Sequence, residues 1–282
     1  MSPTLGTTGA TGRLGGRVAR RLADAGREQV LLVRDRARAP RLSGAAVRRC
    51  SYGDPGAVEA LAGVDVLFMV SGAEDVDRVG KHVAFVDAAV AAGVRHVVYV
   101  SFLGAAPDAT FTLARDHFAT EQHVRGTGLA WTFLRDGLYA DFLPLLVGGD
   151  GVLRGPAGDG RVSAVAQDDI ADAAAAVLLD PGAHAGRTYD LTGPAALTLD
   201  EVAVVLSEGL GHQVRYERET LAEAYASRAS YGAPDWQVDA WVSTYTAIAA
   251  GELERVSGDV AALTGHAATS LVQVLRRSGG AG

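Results

Sequence analysis

Four glycines spaced three residues apart near the amino terminus constrain this chain more than any other feature. Gly6, Gly9, Gly12 and Gly15 stand between a short apolar segment and a helical pattern that runs to Gly26. Glycine permits positive φ and lets the backbone approach a phosphate, and the following helix start carries partial positive charge. At the first strand-to-helix junction of a βαβ series this turn indicates dinucleotide binding. A glycine-rich turn without a ligand is the alternative.

The first half of the chain alternates short apolar runs with helical patterns. Such alternation is typical of parallel βαβ units, and continuous apolar runs are typical of strands covered on both faces. Strands are predicted near Leu5–Thr7 and at Gln29–Val33, Val64–Val70, Val94–Val100 and Leu129–Leu134. The sequence therefore predicts an α/β fold with a Rossmann-type doubly wound parallel sheet.

The pattern changes after about residue 150. Glycines cluster at Gly148–Gly151 and Gly155–Gly160, which indicates loops, and the remainder is mostly helical apart from a short strand at Thr188–Leu191. We predict an NAD(P)-binding Rossmann domain at residues 1–150 and a smaller, mostly helical substrate-binding lobe at residues 151–282. Residues 161–193 are the stretch that could pack back onto the first domain.

The composition argues against some classes of binding partner. The 282 residues carry a formal net charge of −7, which argues against a nucleic-acid surface because phosphate binding needs clustered cations. Two arginine clusters, at Arg13–Arg21 and Arg34–Arg41, lie either on solvated helix faces or near a phosphate-bearing cofactor. No secretory signal or bilayer-spanning apolar run is evident. We expect a cytoplasmic protein that binds no membrane, and a homo-oligomer is compatible with the sequence.

Arg34 bears on the choice of cofactor. It follows the second predicted strand, about twenty residues after the glycine turn, where a carboxylate favours NAD and an arginine favours the 2′-phosphate of NADP. The alternatives are a surface arginine paired with Asp35, or Asp35 itself contacting a ribose hydroxyl. We predict NADP (NADPH) as the preferred cofactor, with NAD as the alternative.

Several motifs, taken in order, carry a family resemblance. They are Thr8–Gly15, Leu32–Arg34, Tyr52–Asp54, Asp87–Val94, His117–Glu121, Trp131–Tyr139, Gly158–Arg161 and Tyr189–Pro194. With them the chain resembles the atypical short-chain dehydrogenase/reductases typified by NmrA-like proteins, and most of all the bacterial NAD(P)H:quinone oxidoreductases of that group. Two positions depart from that pattern: Ser51, where aspartate is common, and Asp136, where asparagine or proline is common.

The resemblance implies a set of cofactor-binding residues. The adenosine and phosphate half of the cofactor would be held by Gly9, Thr11, Gly12, Arg13, Leu14, Gly15 and Arg34. The middle of the cofactor would be bordered by Ser71, Gly72 and Ala73, and the nicotinamide and substrate by Asp136, Gly137, Leu138 and Tyr139.

The scarcity of lysine excludes one mechanism. Most short-chain dehydrogenases use a Tyr-x-x-x-Lys pair, but Lys81 is the sole lysine and the residue four before it is Asp77. Reductases of the broader group that use a catalytic lysine are disfavoured as well, unless Lys81 substitutes. Quinone reduction needs little protein acid, because the hydroquinone anion takes its proton from water and positioning of the two rings supplies much of the catalysis.

His117 and Glu121 share one face of a predicted helix. His117 is a candidate proton donor or orienting group, and a hydrogen bond between the two side chains is the structural alternative. Zinc binding that adds His123 is a third reading, but His123 points off the shared face, so we expect no metal site.

These observations leave three functional hypotheses. The first is an NAD(P)H-dependent reductase acting on a quinone or similar conjugated carbonyl. The second is a non-catalytic NAD(P)-sensing regulator, as some NmrA-like proteins are. The third is a biosynthetic tailoring reductase or isomerase with its acid group supplied by His117 or Tyr139. Aromatic residues at Tyr225, Tyr231, Trp236, Trp241 and Tyr245 either wall a pocket for a flat, apolar substrate or form the core of the second lobe.

Overall fold

In the computed structural model, which describes residues 3–279, strands and helices alternate along the first half of the chain. The strands are β1 (Leu5–Thr8), β2 (Gln29–Val33), β3 (Ala45–Arg49), β4 (Val66–Met69), β5 (His96–Phe102), β6 (Ala130–Asp136), β7 (Val152–Gly155), β8 (Arg161–Val162), β9 (Arg187–Leu191), β10 (Leu197–Thr198) and β11 (Arg215–Arg218). The helices are α1 (Arg13–Asp24), α2 (Ala57–Leu61), α3 (Arg78–Ala91), α4 (Thr112–Gly126), α5 (Gln167–Leu179), α6 (Leu199–Leu210), α7 (Leu221–Arg228), α8 (Asp235–Ala249), α9 (Asp259–Thr264) and α10 (Leu271–Gly279). Met1 and Ser2, on which the expected absence of a secretory signal depends in part, lie outside the described residues.

The central sheet has the strand order β3-β2-β1-β4-β5-β6-β9. β1 pairs in parallel with both β2 and β4, and β2–β3 and β4–β5 are parallel as well. The chain leaves β3 and returns at β4 on the other side of β1, so the strand order reverses between β1 and β4. In open α/β sheets ligands bind beyond the carboxyl ends of the strands at such a switch point. The predicted Rossmann-type doubly wound sheet, followed by a smaller and mostly helical part, is confirmed.

The apolar pattern explains the sheet and its first helix. All residues of β1, β2, β4 and β5 are buried, as continuous apolar runs covered on both faces require. On α1 the buried stripe includes Leu14, Val18 and Leu22, at the spacing of one helix face.

Ion pairs join α1 to α5. Arg17 Nε lies 3.1 Å from Asp168 Oδ1, and Arg21 contacts both Asp168 and Asp172. These arginines of the Arg13–Arg21 cluster therefore serve a contact between helices.

Some strands carry too little apolar pattern to be predicted. β3 is half-exposed at the edge of the sheet and ends in Arg48 and Arg49, so it lacks the run that marks the inner strands. β7 lies between the two glycine clusters and pairs in parallel with β11. Its partner is about sixty residues away in sequence, which is why the segment was predicted as loop.

The chain divides into two compact units that are discontinuous in sequence. One extends to Phe102 and adds Asp116–Arg135 and Asp168–Tyr189; the other comprises Leu103–Arg115, Asp136–Gln167 and the chain from Asp190 onward. The predicted boundary at residue 150 concerns consecutive domains and stays a prediction. Among residues 3–279, no helix combines the length and apolar character that crossing a membrane requires.

The second unit has its own small core. Val238 and Val242 of α8 pack with Ala224 of α7, and Trp241 packs against this cluster. Tyr245 is buried, with the Arg228 guanidinium 5.1 Å from its ring centroid. Of the aromatic residues considered above, these two therefore belong to the core of the second unit.

Candidate cofactor site

A cavity of about 380 Å³ opens in the first unit where β1, β2, β3 and β4 end. Its walls are the glycine turn, the residues that follow the other three strands, and the first turns of α3. The lining residues are Thr8, Gly9, Thr11, Gly12, Leu32, Val33, Arg34, Cys50, Ser51, Tyr52, Val70, Ser71, Gly72, Ala73, Asp75, Arg78, Lys81 and His82. The cavity thus contains seven of the predicted cofactor-binding positions (Gly9, Thr11, Gly12, Arg34, Ser71, Gly72 and Ala73).

The glycine turn presents backbone rather than side chains. Gly9 has φ +67°, in the left-handed region that favours glycine. Gly12 precedes α1, whose start has neither a side-chain cap nor an acidic residue in its first turn. At Gly15 an added Cβ would lie 2.4 Å from the Gly9 carbonyl oxygen, so only glycine lets the helix pack this closely. The helix start is therefore free to donate its N–H groups to an anion.

Arg13 and Leu14 follow the turn but do not line the cavity. Arg13 is exposed at the first position of α1, whereas the Leu14 side chain is 5% exposed and belongs to the buried face. Their predicted contribution to cofactor binding is limited to backbone N–H groups, and it stays a prediction.

Arg34 lines the cavity with an exposed side chain. Within residues 3–279 its guanidinium makes no ion pair, so the predicted alternative of a pair with Asp35 is not observed. Asp35 instead accepts a hydrogen bond from the Ala37 backbone N–H at 2.9 Å and caps the short 3₁₀ helix Arg36–Arg38. A free cation in this position suits a phosphate.

The Tyr52 hydroxyl connects the residues at the ends of β1 and β4 in the cavity wall. Its hydroxyl donates to the Val70 carbonyl at 2.5 Å and lies 2.9 Å from Thr8 Oγ1. Thr8 Oγ1 in turn accepts the Val70 N–H at 2.9 Å. The Tyr52 ring stacks on Phe85, with centroids 4.3 Å apart. This cross-link, which the sequence did not reveal, fixes the ends of β1 and β4 on either side of the switch point.

Gly72 is held by two side chains of α3. Its N–H donates to His82 Nε2 at 2.8 Å, and Arg78 Nε donates to its carbonyl at 3.0 Å. Burial, reinforced by the nearby Arg78 charge, lowers the pKa of His82 to about 3. Neither residue was predicted as part of the site. Their spacing places both on one helix face, but nothing in the sequence marks that face as polar and buried.

His117, predicted as a catalytic candidate, is buried and bonded through both ring nitrogens. Nε2 lies 2.9 Å from an Arg78 terminal nitrogen and Nδ1 lies 3.0 Å from the Tyr99 hydroxyl. Burial and the Arg78 charge lower the pKa of His117 well below its ordinary value. The ring is thus a neutral hydrogen-bonding group inside the first unit, and its catalytic role stays a prediction.

Glu121 bonds elsewhere, so the expected hydrogen bond between His117 and Glu121 is not formed. The carboxylate accepts two hydrogen bonds from Arg135, at 2.8 and 2.7 Å, and one from Ser101 at 2.6 Å. His123 Nε2 lies 2.7 Å from an Asp87 carboxylate oxygen. The three side chains of the zinc reading are therefore engaged with three different sets of partners.

The remaining lining groups set the charge of the cavity. Lys81 is paired with Asp75 and Arg78 with Asp116, whereas Arg34 makes no ion pair within residues 3–279. Burial raises the pKa of the Cys50 thiol to about 11, so Cys50 contributes a neutral wall. The backbone of the glycine turn, the uncapped start of α1 and the Arg34 guanidinium fit the phosphates of a dinucleotide.

Asp136, Gly137, Leu138 and Tyr139 belong to the second unit, where they follow β6. The Tyr139 hydroxyl donates to Asp136 Oδ2 at 3.0 Å. Burial raises the pKa of Asp136 well above its ordinary range, which favours the protonated, uncharged carboxyl. The backbone of this segment is fixed by Gly137 N–H to the Leu191 carbonyl and by Val165 N–H to the Leu138 carbonyl.

Comparison with known proteins agrees with this site. A family model described as NAD(P)H-binding matches residues 9–181. Over 274 residues the chain is 35% identical to Quinone oxidoreductase 2 of Escherichia coli (strain K12), covering 94% of this chain and 95% of that protein. It is 34% identical to an NAD(P)H azoreductase of Xenophilus azovorans, covering 94% of each chain.

A solved structure shares the whole fold. The crystal structure of an NADPH-dependent quinone oxidoreductase from Escherichia coli, complexed with NADPH, matches with a TM-score of 0.89 at 33% identity, over 97% of this chain and 99% of that one. The predicted resemblance to NmrA-like, atypical short-chain dehydrogenase/reductases is confirmed, as is the prediction of an NAD(P)-dependent enzyme. The chain belongs to the NAD(P)H-binding family of this group and is an oxidoreductase.

Proposed function

We propose that this chain reduces a quinone or a similar conjugated carbonyl with NADPH as the preferred hydride donor. The observation that carries the proposal is the cavity at the β1/β4 switch point, which is lined by the glycine turn and by Arg34, whose guanidinium makes no ion pair within residues 3–279. Relatives at about a third identity over nearly the whole chain support it, since they are named for quinone and azo reduction. A flat, apolar small molecule is the proposed substrate, and the cytoplasm is the proposed location.

Different residues of the chain would hold different parts of the cofactor. Gly9, Gly12 and the start of α1 would hold the pyrophosphate, Arg34 the 2′-phosphate, and Ser71–Ala73 the middle of the cofactor. When bound, the nicotinamide supplies a hydride. The free guanidinium of Arg34 favours NADPH over NADH because a monophosphate ester gains charge-assisted hydrogen bonds that a ribose hydroxyl does not.

Tyr139 is the proposed proton donor. An uncharged Asp136 beside its hydroxyl either accepts the phenolic hydrogen or donates its own, and in the second case the Tyr139 hydrogen is available to a substrate oxygen. A neutral pair adds no negative charge that would disfavour an electron-rich product. The position of Asp136 departs from the family pattern, so this pair would be a property of this chain.

Quinone reduction also matches what the chain lacks. Lys81 is the sole lysine and is paired with Asp75, so a Tyr-x-x-x-Lys base for alcohol oxidation cannot be built. A quinone needs no strong protein acid, since the reduced product is a stabilised anion that a weak acid such as the Tyr139 hydroxyl can protonate or orient. Orientation of the two rings then supplies most of the acceleration.

The test is oxidation of NADPH in the presence of a simple benzoquinone, followed by loss of the reduced nicotinamide absorbance. We expect turnover well above the uncatalysed rate. Tyr139→Phe should lower kcat by about tenfold to a hundredfold while the NADPH Kd stays within about twofold. The matched control is Tyr231→Phe, an exposed tyrosine in the second unit, which should change neither quantity.

Two results would contradict this proposal. Absence of turnover across a panel of quinones, with tight NADPH binding, would favour a cofactor-sensing protein instead. Absence of NADPH binding would refute the cofactor site itself.

A further inference from the structure

Gly72 has both of its backbone polar groups bonded to side chains of one helix. His82 Nε2 accepts its N–H at 2.8 Å, and Arg78 Nε donates to its carbonyl at 3.0 Å. Arg78 and His82 are four residues apart and so lie on one face of α3. Both side chains are buried, at 5% and 0% exposure. The peptide units that border the cavity after β4 are therefore oriented by side chains rather than by the sheet.

These two side chains are in turn connected through α4 and β5. Arg78 reaches His117 Nε2 at 2.9 Å, and His117 Nδ1 reaches the Tyr99 hydroxyl at 3.0 Å. On the other side, Thr120 Oγ1 lies 2.9 Å from His82 Nδ1, and the Thr120 side chain interacts with that of Tyr99. These contacts form a ring of interacting groups, which we call the Gly72 ring: Gly72, Arg78, His117, Tyr99, Thr120 and His82.

Donor and acceptor chemistry permits one arrangement of protons in this ring. Arginine has no acceptor, so His117 Nε2 must accept and Nδ1 must carry the hydrogen given to Tyr99. The Gly72 N–H is a donor, so His82 Nε2 must accept and Nδ1 must donate to Thr120. Thr120 passes its own hydrogen to the Asp116 carbonyl at 2.8 Å. Both histidines are consequently neutral and fixed in one tautomer.

We propose that the Gly72 ring positions the Val70–Ala73 segment for the cofactor, and that Arg78, His82 and His117 are positioning residues of the cofactor site. The inference rests on the proposed function, because it deepens the cofactor site at the same cavity. The ring contributes geometry: it fixes the orientation of Gly72, because side chains of α3 bond to both its N–H and its carbonyl. His117 acts through Arg78.

The fit around Gly72 shows how little freedom the segment has. A Cβ at this position would lie 3.1 Å from His82 Nε2 and 3.5 Å from the Tyr52 ring. Loss of the His82 acceptor would leave the partly buried Gly72 N–H without its partner, and the peptide would turn to find another. Because the same peptide borders the cavity, that rotation would displace the surface that receives the cofactor.

The experiment measures the NADPH Kd by fluorescence titration, along with kcat and KM for NADPH in benzoquinone reduction. His82→Leu should raise the Kd about tenfold or more, with KM rising in parallel and kcat at saturating NADPH changing less than about twofold. His82→Gln keeps an acceptor for the Gly72 N–H and should stay within about threefold of the parent. His117→Leu should raise KM in the same way.

The matched control is His96→Leu. His96 is another buried histidine of the first unit, bonded to Thr132 at 2.9 Å, and among the described residues no hydrogen bond joins it to the Gly72 ring. Both leucine variants should lower Tm, but His96→Leu should leave the NADPH Kd within about twofold of the parent. A difference between the two variants in Kd, at similar loss of stability, isolates positioning from folding.

Several outcomes would overturn the inference. These are a folded His82→Leu with an unchanged Kd, an equal rise in Kd for His96→Leu, or loss of kcat without a change in KM for His117→Leu. If His82→Leu does not fold, Thr120→Val opens the ring at nearly constant volume. It should raise the Kd about threefold, and an unchanged value would refute the ring. Failure of the parent to bind NADPH would instead refute the proposed function and is measured first.

Discussion

Replacing Gly15 by alanine tests the glycine turn at its tightest contact. The added Cβ would lie 2.4 Å from the Gly9 carbonyl oxygen and 2.7 Å from the Thr8 oxygen, whereas ordinary contacts begin at 3.4 Å. Both neighbours are backbone atoms, so relief requires α1 to retreat by about 1 Å. Overpacking of this size destabilises by about 1–3 kcal/mol, offset by about 0.5–1 kcal/mol of improved helix propensity. The net change in folding free energy is modest.

The effect on cofactor binding should be larger than the effect on folding. A retreat of about 1 Å lengthens the N–H contacts from the helix start beyond hydrogen-bonding distance. Hydrogen bonds to a charged group contribute about 1.5–3 kcal/mol each, so loss of one should raise the NADPH Kd about tenfold to a hundredfold. Fluorescence titration measures Kd and thermal unfolding measures Tm. Gly126→Ala, at the open end of α4 with no atom near its Cβ, is the control. A Gly15→Ala Kd within about twofold of the parent would refute the reasoning.

Two further predictions concern charge. Arg34→Ala should raise the NADPH Kd about tenfold to a hundredfold and leave the NADH Kd within about twofold, because only NADPH carries the phosphate that the guanidinium would meet; equal losses for both cofactors in the titration would argue against this role. Burial lowers the pKa of His82 to about 3 and of His96 to about 4. Their stabilising contribution is present above the unfolded-state pKa of about 6.5 and declines as pH falls, by roughly 2 kcal/mol per histidine between about pH 7 and pH 5. Urea unfolding at the two pH values measures it, and His96→Leu should show a shallower dependence; an identical slope for parent and variant would contradict the assignment.

The inner strands and main helices could be predicted because their apolar patterns are strong and local. The sequence predicts β2 at Gln29–Val33, as in the structure. The sequence does not predict the edge strand β3, because solvent on one side lets arginine replace the apolar residues of an inner strand. The sequence does not predict β7 and β11 either, because each strand pairs with a segment far away along the chain.

The candidate site likewise contains residues that the sequence identifies and residues that it does not. The glycine turn and Arg34 are recognisable because a phosphate needs a particular residue type at a particular distance from a strand end. Arg78 and His82 look like ordinary helix positions, and their function depends on Gly72 before them and on His117 and Thr120 after them. Contacts that join residues of three different helices and strands produce no periodic pattern in the sequence. The i, i+4 spacing of His117 and Glu121 indicates a hydrogen bond between them, but each side chain instead bonds to residues from other parts of the chain.

The lone lysine and the partner of Tyr139 favour the same chemistry. Lys81 lines the cavity and is paired with Asp75. Tyr139, the proposed proton donor, has a carboxyl partner instead, and burial favours the uncharged form of Asp136. The residue four after Tyr139 is Leu143, so Tyr139 lacks the lysine of a Tyr-x-x-x-Lys pair that makes a tyrosine the base for alcohol oxidation. It can still orient or protonate an acceptor whose reduced form is already a stabilised anion. Conjugated carbonyls such as quinones meet that condition, and simple secondary alcohols do not.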